Sequence, residues 1–137
     1  MRKNYLVLAV LVSACASAQT HDIKNTQGHY YVDGFVGNAP IKFMVDTGAS
    51  GVVIPRSVAN RAGEWGNCNW IKFMTANGPT ELCQRRVASI RFGPYEFKNI
   101  VATITADEAI DATGLLGMDA LKHFQIQIGN GYMRLSR

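Results

Sequence analysis

Turn-forming residues punctuate this chain so closely that few stretches are left for a long helix. Gly37-Asn38-Ala39-Pro40, Asn77-Gly78, Gly93-Pro94 and Gly129-Asn130-Gly131 each separate two runs rich in aromatic and β-branched residues. Such runs, bounded by turn signals about every 8–12 residues, read as the strands of an all-β domain. They cover 30–36, 41–45, 52–54, 70–75, 80–87, 87–92, 95–105, 124–128 and 132–135. Two short helices interrupt them, one over 56–62, opened by Pro55 and closed by Gly63, the other over 119–124. The expected architecture is all-β, a closed barrel of short strands with one or two short helices. Asn-Gly between extended runs is a strong hairpin signal, and a two-residue Asn77-Gly78 turn would set Cys83 opposite Lys72.

The run at 41–45 carries chemistry at its end. Side chains alternate along a strand, so Ile41, Phe43 and Val45 share one face while Met44 and Asp46 point to the other. Asp46 opens the segment Asp46-Thr47-Gly48-Ala49-Ser50, and apolar Val52-Val53-Ile54 follows. A carboxylate therefore stands where a core strand ends. Gly48 permits a tight turn and lets backbone N–H groups approach that carboxylate, while Thr47 adds a hydroxyl that can donate or accept a hydrogen bond. Hydrolysing an amide without a metal or a covalent nucleophile requires water to be deprotonated and the carbonyl polarised together. Two carboxyls sharing one proton do both. Asp-Thr-Gly occurs once in the sequence, so a second such carboxyl has to come from another copy of the chain.

Residues 1–18 read as a signal peptide: Arg2 and Lys3, an apolar run from Tyr5 to Val12, then small residues. The run is shorter than the roughly 18 residues that a membrane-spanning helix needs. Two processing sites compete. Ala16-Ser17-Ala18 suits ordinary cleavage before Gln19, whereas Val12-Ser13-Ala14-Cys15 looks like a lipobox whose cysteine, Cys15, becomes lipidated. Residues 19–28 are polar, a tether or a loose first strand, and 29–137 form one domain. The protein is expected to be exported, to the bacterial periplasm or as an outer-membrane-anchored lipoprotein. It meets membrane only through such an anchor or the signal peptide.

In an oxidising compartment Cys68 and Cys83 are most simply a disulfide, with two free thiols as the alternative. The register above argues against direct pairing, since bridging then needs the chain before Trp70 to curl or bulge. His21, His29 and His123 show no spacing that converges with the cysteines, so no metal and no other cofactor is expected. The net charge of +4 falls to +2 without Arg2 and Lys3, and the remaining basic residues are scattered, with Arg85-Arg86 their one cluster. Nucleic-acid binders concentrate positive charge on a face or stripe, so nucleic acid is not an expected partner.

With Asp46-Thr47-Gly48-Ala49-Ser50 followed by Gly114-Leu115-Leu116-Gly117 before a short helix, the chain resembles the retroviral-type (retropepsin-like) aspartic peptidases, as a single-domain bacterial exported member. The resemblance runs over nearly all of the mature chain. It implies a homodimer in which Asp46 meets its symmetry mate and Thr47 bonds its counterpart across the axis, with Gly48 and Ala49 completing the turn. It also implies that Leu115, Leu116 and Gly117 lie directly behind that turn. The Asn77-Gly78 hairpin matches the family's flap, which makes Met74, Ala76, Asn77 and Gly78 flap or substrate residues and Trp70 and Phe73 candidate subsite linings. Ser50 stands where viral enzymes usually have aspartate, and Met118 where they have arginine, so the ion pair between those positions is missing. The C-terminal strands that viral subunits interleave need not pair in the same way here.

Other carboxylates are assigned to structure. Asp119 is expected as an N-cap or first-turn helix acid, and Asp33, Asp107 and Asp111 as solvated residues in turn or exposed contexts. The function expected is an exported aspartic endopeptidase that cleaves a peptide or protein substrate with water activated between two Asp46 carboxylates of a homodimer. The alternative is a catalytically silent retropepsin-like module of the cell envelope that binds peptide or dimerises.

Overall fold

The computed structural model describes residues 17–75, 78–110 and 112–137. The signal segment with Cys15, and the expectations placed on Ala76, Asn77 and Asp111, lie outside the described residues. Ten strands follow in order: β1 (Thr20–Thr26), β2 (His29–Val36), β3 (Ala39–Val45), β4 (Val52–Pro55), β5 (Asn69–Thr75), β6 (Gly78–Phe92), β7 (Tyr95–Thr105), β8 (Gly114–Leu116), β9 (Gln125–Gly129) and β10 (Tyr132–Ser136). Helix α1 (Arg56–Arg61) follows β4, and α2 (Met118–Leu121) follows β8. The strands pair in the order β5-β6-β7-β4-β8-β3-β2-β1-β10-β9, and β2 also pairs with β6. That extra pairing closes a ring of strands around the core, and the all-β expectation holds. Of the tether and the loose strand expected over 19–28, the structure has the strand, since β1 is paired to β10 from Thr20↔Ser136 to Lys24↔Tyr132.

Alternation places the core as expected on β3, where Ile41, Phe43 and Val45 are buried and Lys42 is exposed. Phe43 packs with Val36, Ile54, Val87, Ile90, Phe92, Leu116 and Leu135 in one core cluster. Each such fully buried side chain contributes about 1.5–3 kcal/mol. Tyr95 is also buried, and its one hydroxyl proton is shared between the carbonyl oxygens of Gln19 and Leu135, at 3.0 and 2.9 Å, tying the start of the described chain to β10.

Not all strands are short. Residues 80–92, read as two runs, belong to the single fifteen-residue strand β6. The β6–β7 ladder skips one step, at Ala88 opposite Asn99, where Asn99 takes a positive φ of 53°. Two side chains serve the backbone groups there. The Ala88 N–H donates to Glu64 Oε1 at 2.7 Å, and Arg86 donates to the Asn99 carbonyl at 2.6 Å. Glu64 is only 7% exposed, and its other carboxylate oxygen pairs with Arg85 at 3.0 Å. Arg85 thus pairs with a buried carboxylate while Arg86 serves the ladder from the exposed side, and Glu64 is a buried brace.

The hairpin between β5 and β6 also departs from expectation. Its pairs run from Asn69↔Gln84 through Trp70↔Cys83 to Thr75↔Gly78, so Gly78 belongs to the strand and the register moves by two residues. Cys83 consequently faces Trp70, close to Cys68, and the two cysteines form a disulfide with a Cα–Cα distance of 4.9 Å. Asp107 departs too. It is half-buried in a 3-10 turn, Asp107–Ala109, and its Oδ1 accepts from the Ser57 N–H at 3.0 Å, serving the first turn of α1, which has no side-chain cap at Pro55.

Candidate active site

The acidic turn is held from behind by backbone. Strand β3 runs parallel to β8 from Phe43↔Gly114 to Val45↔Leu116. One step further the Asp46 N–H donates to the Leu116 carbonyl at 3.0 Å, and then Met118 N–H donates to Ala49 O at 2.8 Å and Asp119 N–H to Ser50 O at 3.0 Å. The first turn of α2 is therefore docked onto the carbonyls of the acidic turn. Gly117 makes this approach close: a Cβ there would fall 2.2 Å from the Gly51 carbonyl oxygen. Only a residue without a side chain fits. Leu116 and Gly117 are buried and Leu115 is half-buried. Leu116 and Gly117 back the turn, whereas Leu115 lines the cavity beside it.

On the other side the turn faces outward. Asp46 is half-buried, its Oδ1 accepts from the Gly48 N–H at 2.8 Å, and Thr47 and Gly48 are exposed. Gly48 is also one edge of a cavity of about 530 Å³ whose wall includes Ser50, Val53, Phe73, Leu82, Leu115 and Asp119. The β5–β6 hairpin reaches this cavity through Phe73, Leu82 and Gln84. Trp70 does not: it lines a second cavity with Trp65 and Arg56, whose guanidinium lies 4.8 Å from the Trp65 ring centroid, and no residue of the acidic turn takes part there. Alternation explains the split, since Trp70 and Phe73 sit three residues apart on one strand and so project to opposite faces. Met74, at 80% exposure, is free of the core.

Asp119 lies in the first turn of α2, as expected, but it is not the cap, a position held by Gly117. Its place in the cavity wall was not anticipated. The signal available was Gly117, whose contact with Gly51 brings the next two residues over the turn. Among the described residues no group of three or more His, Cys, Asp or Glu is arranged to hold a metal ion.

A glycine-containing acidic turn at the end of β3 thus has a Leu-Leu-Gly segment on one side and a hairpin near it on the other. The family model described as "gag-polyprotein putative aspartyl protease" matches residues 32–123. The chain belongs to the retropepsin-like aspartic protease family. Among solved structures, the crystal structure of a retropepsin-like aspartic protease from Rickettsia conorii superposes with a TM-score of 0.73 at 32% identity, covering 88% of this chain and 92% of that one. Two uncharacterized proteins are also related. One, from Rickettsia prowazekii (strain Madrid E), is 35% identical over 106 residues, 74% of this chain and 44% of its own length. The other, from the cobV 5′ region of a Sinorhizobium species, is 33% identical over 115 residues, 82% of this chain and 49% of its own. This family member thus spans about half the length of these two relatives, or less.

Proposed function

We propose that the protein is an exported, homodimeric aspartic endopeptidase. The observation that carries this reading is the position of Asp46: its carboxylate is oriented by Gly48, its backbone is locked to Leu116, and its turn is exposed beside a cavity large enough for a substrate side chain. In the dimer, Asp46 and its symmetry mate share one proton, because two like charges at close range do not both ionise. The ionised carboxylate takes a proton from water as that water attacks the peptide carbonyl. The protonated one donates a hydrogen bond to the carbonyl oxygen and then its proton. Residues 1–18 support export, and the cystine supports an oxidising compartment.

The dimer contact differs from the viral arrangement in this reading. Strand β10 is already paired on both sides within one chain, by β1 and by β9, so it has no free edge to interleave. Strand β9 is one end of the strand order, with β5 the other, and among the described residues it has one open edge. It follows closely after α2, which is docked on the acidic turn, and it exposes Ile128 at 68%. An open edge with an exposed apolar side chain is a template for strand pairing, and antiparallel pairing of β9 with its own copy satisfies two-fold symmetry.

The test is cleavage of a peptide library at mildly acid pH by purified mature protein, beside Asp46→Asn. Cleavage that disappears in a variant with unchanged circular dichroism and melting supports the proposal. Cleavage that survives the substitution removes it, and peptide binding without turnover by the unmodified protein turns the reading to a silent binding module.

A further inference from the structure

Among the described residues lining the cavity beside Gly48, Asp119 is the only ionisable one. The rest of the wall is neutral, and its large apolar side chains are Val53, Phe73, Leu82, Ile110 and Leu115. The carboxylate is held in place. Its backbone N–H is bonded to the Ser50 carbonyl, and its Cγ and Oδ2 lie 3.8 and 3.4 Å from where a Cβ on Gly51 would stand, so the acid sits directly beside Gly51. Asp119 Oδ1 is buried and has no hydrogen-bond partner among the described residues.

Helix capping does not account for this acid. The N–H groups of Met118 and Asp119 are already taken by Ala49 and Ser50 carbonyls, and α2 has no side-chain cap bond. A buried carboxylate oxygen without a donor is unfavourable unless something supplies one. Asp119 is nevertheless part of the cavity wall, and a basic side chain suits that wall in shape as well as in charge. A lysine or arginine side chain lays an apolar stem along Val53, Leu82 and Leu115 while its cationic head reaches the carboxylate. The volume, about 530 Å³, is within the usual range for a ligand pocket.

We infer that Asp119 is a specificity-determining residue that selects a basic side chain of the substrate close to the bond to be cleaved. Where cleavage is the readout the inference rests on the peptidase reading; where binding is the readout it stands apart from it. An apolar side chain in the cavity would displace water from the carboxylate and give back no hydrogen bond. Sites built around a buried polar group discriminate strongly against partners that leave it unpaired.

The experiment uses a position-scanned set of fluorogenic peptides carrying lysine or the near-isosteric norleucine at each place around the cleaved bond. It is run on the unmodified protein and on Asp119→Asn, with thermal melts to check that both are folded. The same peptides are titrated by fluorescence anisotropy against Asp46→Asn and against the Asp46→Asn/Asp119→Asn double variant, which needs no turnover. The expected result is that at one position lysine exceeds norleucine in kcat/KM and in affinity by about tenfold or more, as for a hydrogen bond to a charged group, and that Asp119→Asn brings both ratios close to one. Absence of a basic preference at every position overturns the inference, as does a preference that survives Asp119→Asn. If no peptide is cleaved, the peptidase reading fails, while the anisotropy ratios still decide for or against Asp119. Should Asp119→Asn itself fail to fold, the lysine-to-norleucine ratio of the unmodified protein decides.

Discussion

The N–H of Asp46 donates to the carbonyl of Leu116 at 3.0 Å, and this bond joins the acidic turn to the Leu-Leu-Gly motif far along the chain. It continues the parallel β3–β8 ladder by one step, so the carboxylate is carried on sheet backbone, not on a free loop. The two bonds from α2 to Ala49 and Ser50 close the turn from the other end. Groups held by regular structure keep their geometry better than groups on loops.

Gly117→Ala tests that arrangement. The new Cβ falls 2.2 Å from the Gly51 carbonyl oxygen and 2.7 Å from its nitrogen, all backbone atoms that no rotamer change can move. Overpacking of this kind costs about 1–3 kcal/mol or more. Urea unfolding is expected to show a lower midpoint with an unchanged slope. Peptide cleavage is expected to fall further than the folded fraction, because the clash separates α2 from the turn itself. A variant with wild-type stability and activity would show that the Gly51–Gly117 contact is dispensable.

The cystine is expected to stabilise the base of the hairpin. Cys68 and Cys83 are separated by fifteen residues and join the loop before β5 to the middle of β6. Closing a loop of that length is worth about 3 kcal/mol in the unfolded-chain entropy model. The double variant Cys68→Ala/Cys83→Ala should unfold at lower denaturant by about that amount. Reductant should lower the melting temperature of the unmodified protein and leave that of the variant where it is. Equal sensitivity of the two to reductant would assign the effect to something other than this bond.

The limits of sequence reading show clearly at that hairpin. Moving the β5–β6 register by two residues leaves every side chain on its original face, because strand alternation has a period of two. The hydrophobic pattern therefore could not separate Cys83 opposite Lys72 from Cys83 opposite Trp70, and the Asn-Gly rule chose the wrong one. The strand 95–105 and the β2–β3 hairpin were legible because turn residues bound them on both sides. Asp46, Thr47 and Gly48 were legible because turn chemistry interrupts an apolar run. Glu64 and Asp107 were not, since their partners, Ala88 and Ser57, lie 24 and 50 residues away and no local pattern records them. Asp119 was read from its neighbours as a helix acid, and only the docking of α2 turns it toward the cavity.

Acidification should weaken the contact at the start of α1. The Ser57 hydroxyl and then its backbone N–H hold the Asp107 carboxyl below its ordinary value of 3.8. A group whose folded value is depressed stabilises the fold above the unfolded value, and that contribution is lost as pH falls through the folded one. Asp107→Asn should therefore melt below the unmodified protein at neutral pH, and the gap should narrow as the pH drops below about 3.8. Melting curves across that window make the comparison. A gap that stays constant with pH would mean that the charge on Asp107 contributes nothing and that the contact is an ordinary neutral one.

If β9 is the self-association edge, a charge on it should act through concentration and not through the chemistry. Ile128 is exposed at 68% in a single chain, on one of the two strands that end the sheet order. A lysine on a sheet edge discourages pairing, and two-fold symmetry places each substitution in the interface twice. Ile128→Lys should therefore raise the protein concentration needed for half-maximal specific activity by about tenfold or more, equivalent to about 1.4 kcal/mol or more of association energy. The activity reached at saturating protein should be close to that of the unmodified chain, because Asp46 and its brace are untouched. Sedimentation velocity over the same concentrations should show the monomer–dimer midpoint moving in parallel. A midpoint that does not move would place the contact on another surface, and the exposed Thr47 turn would be the next to alter.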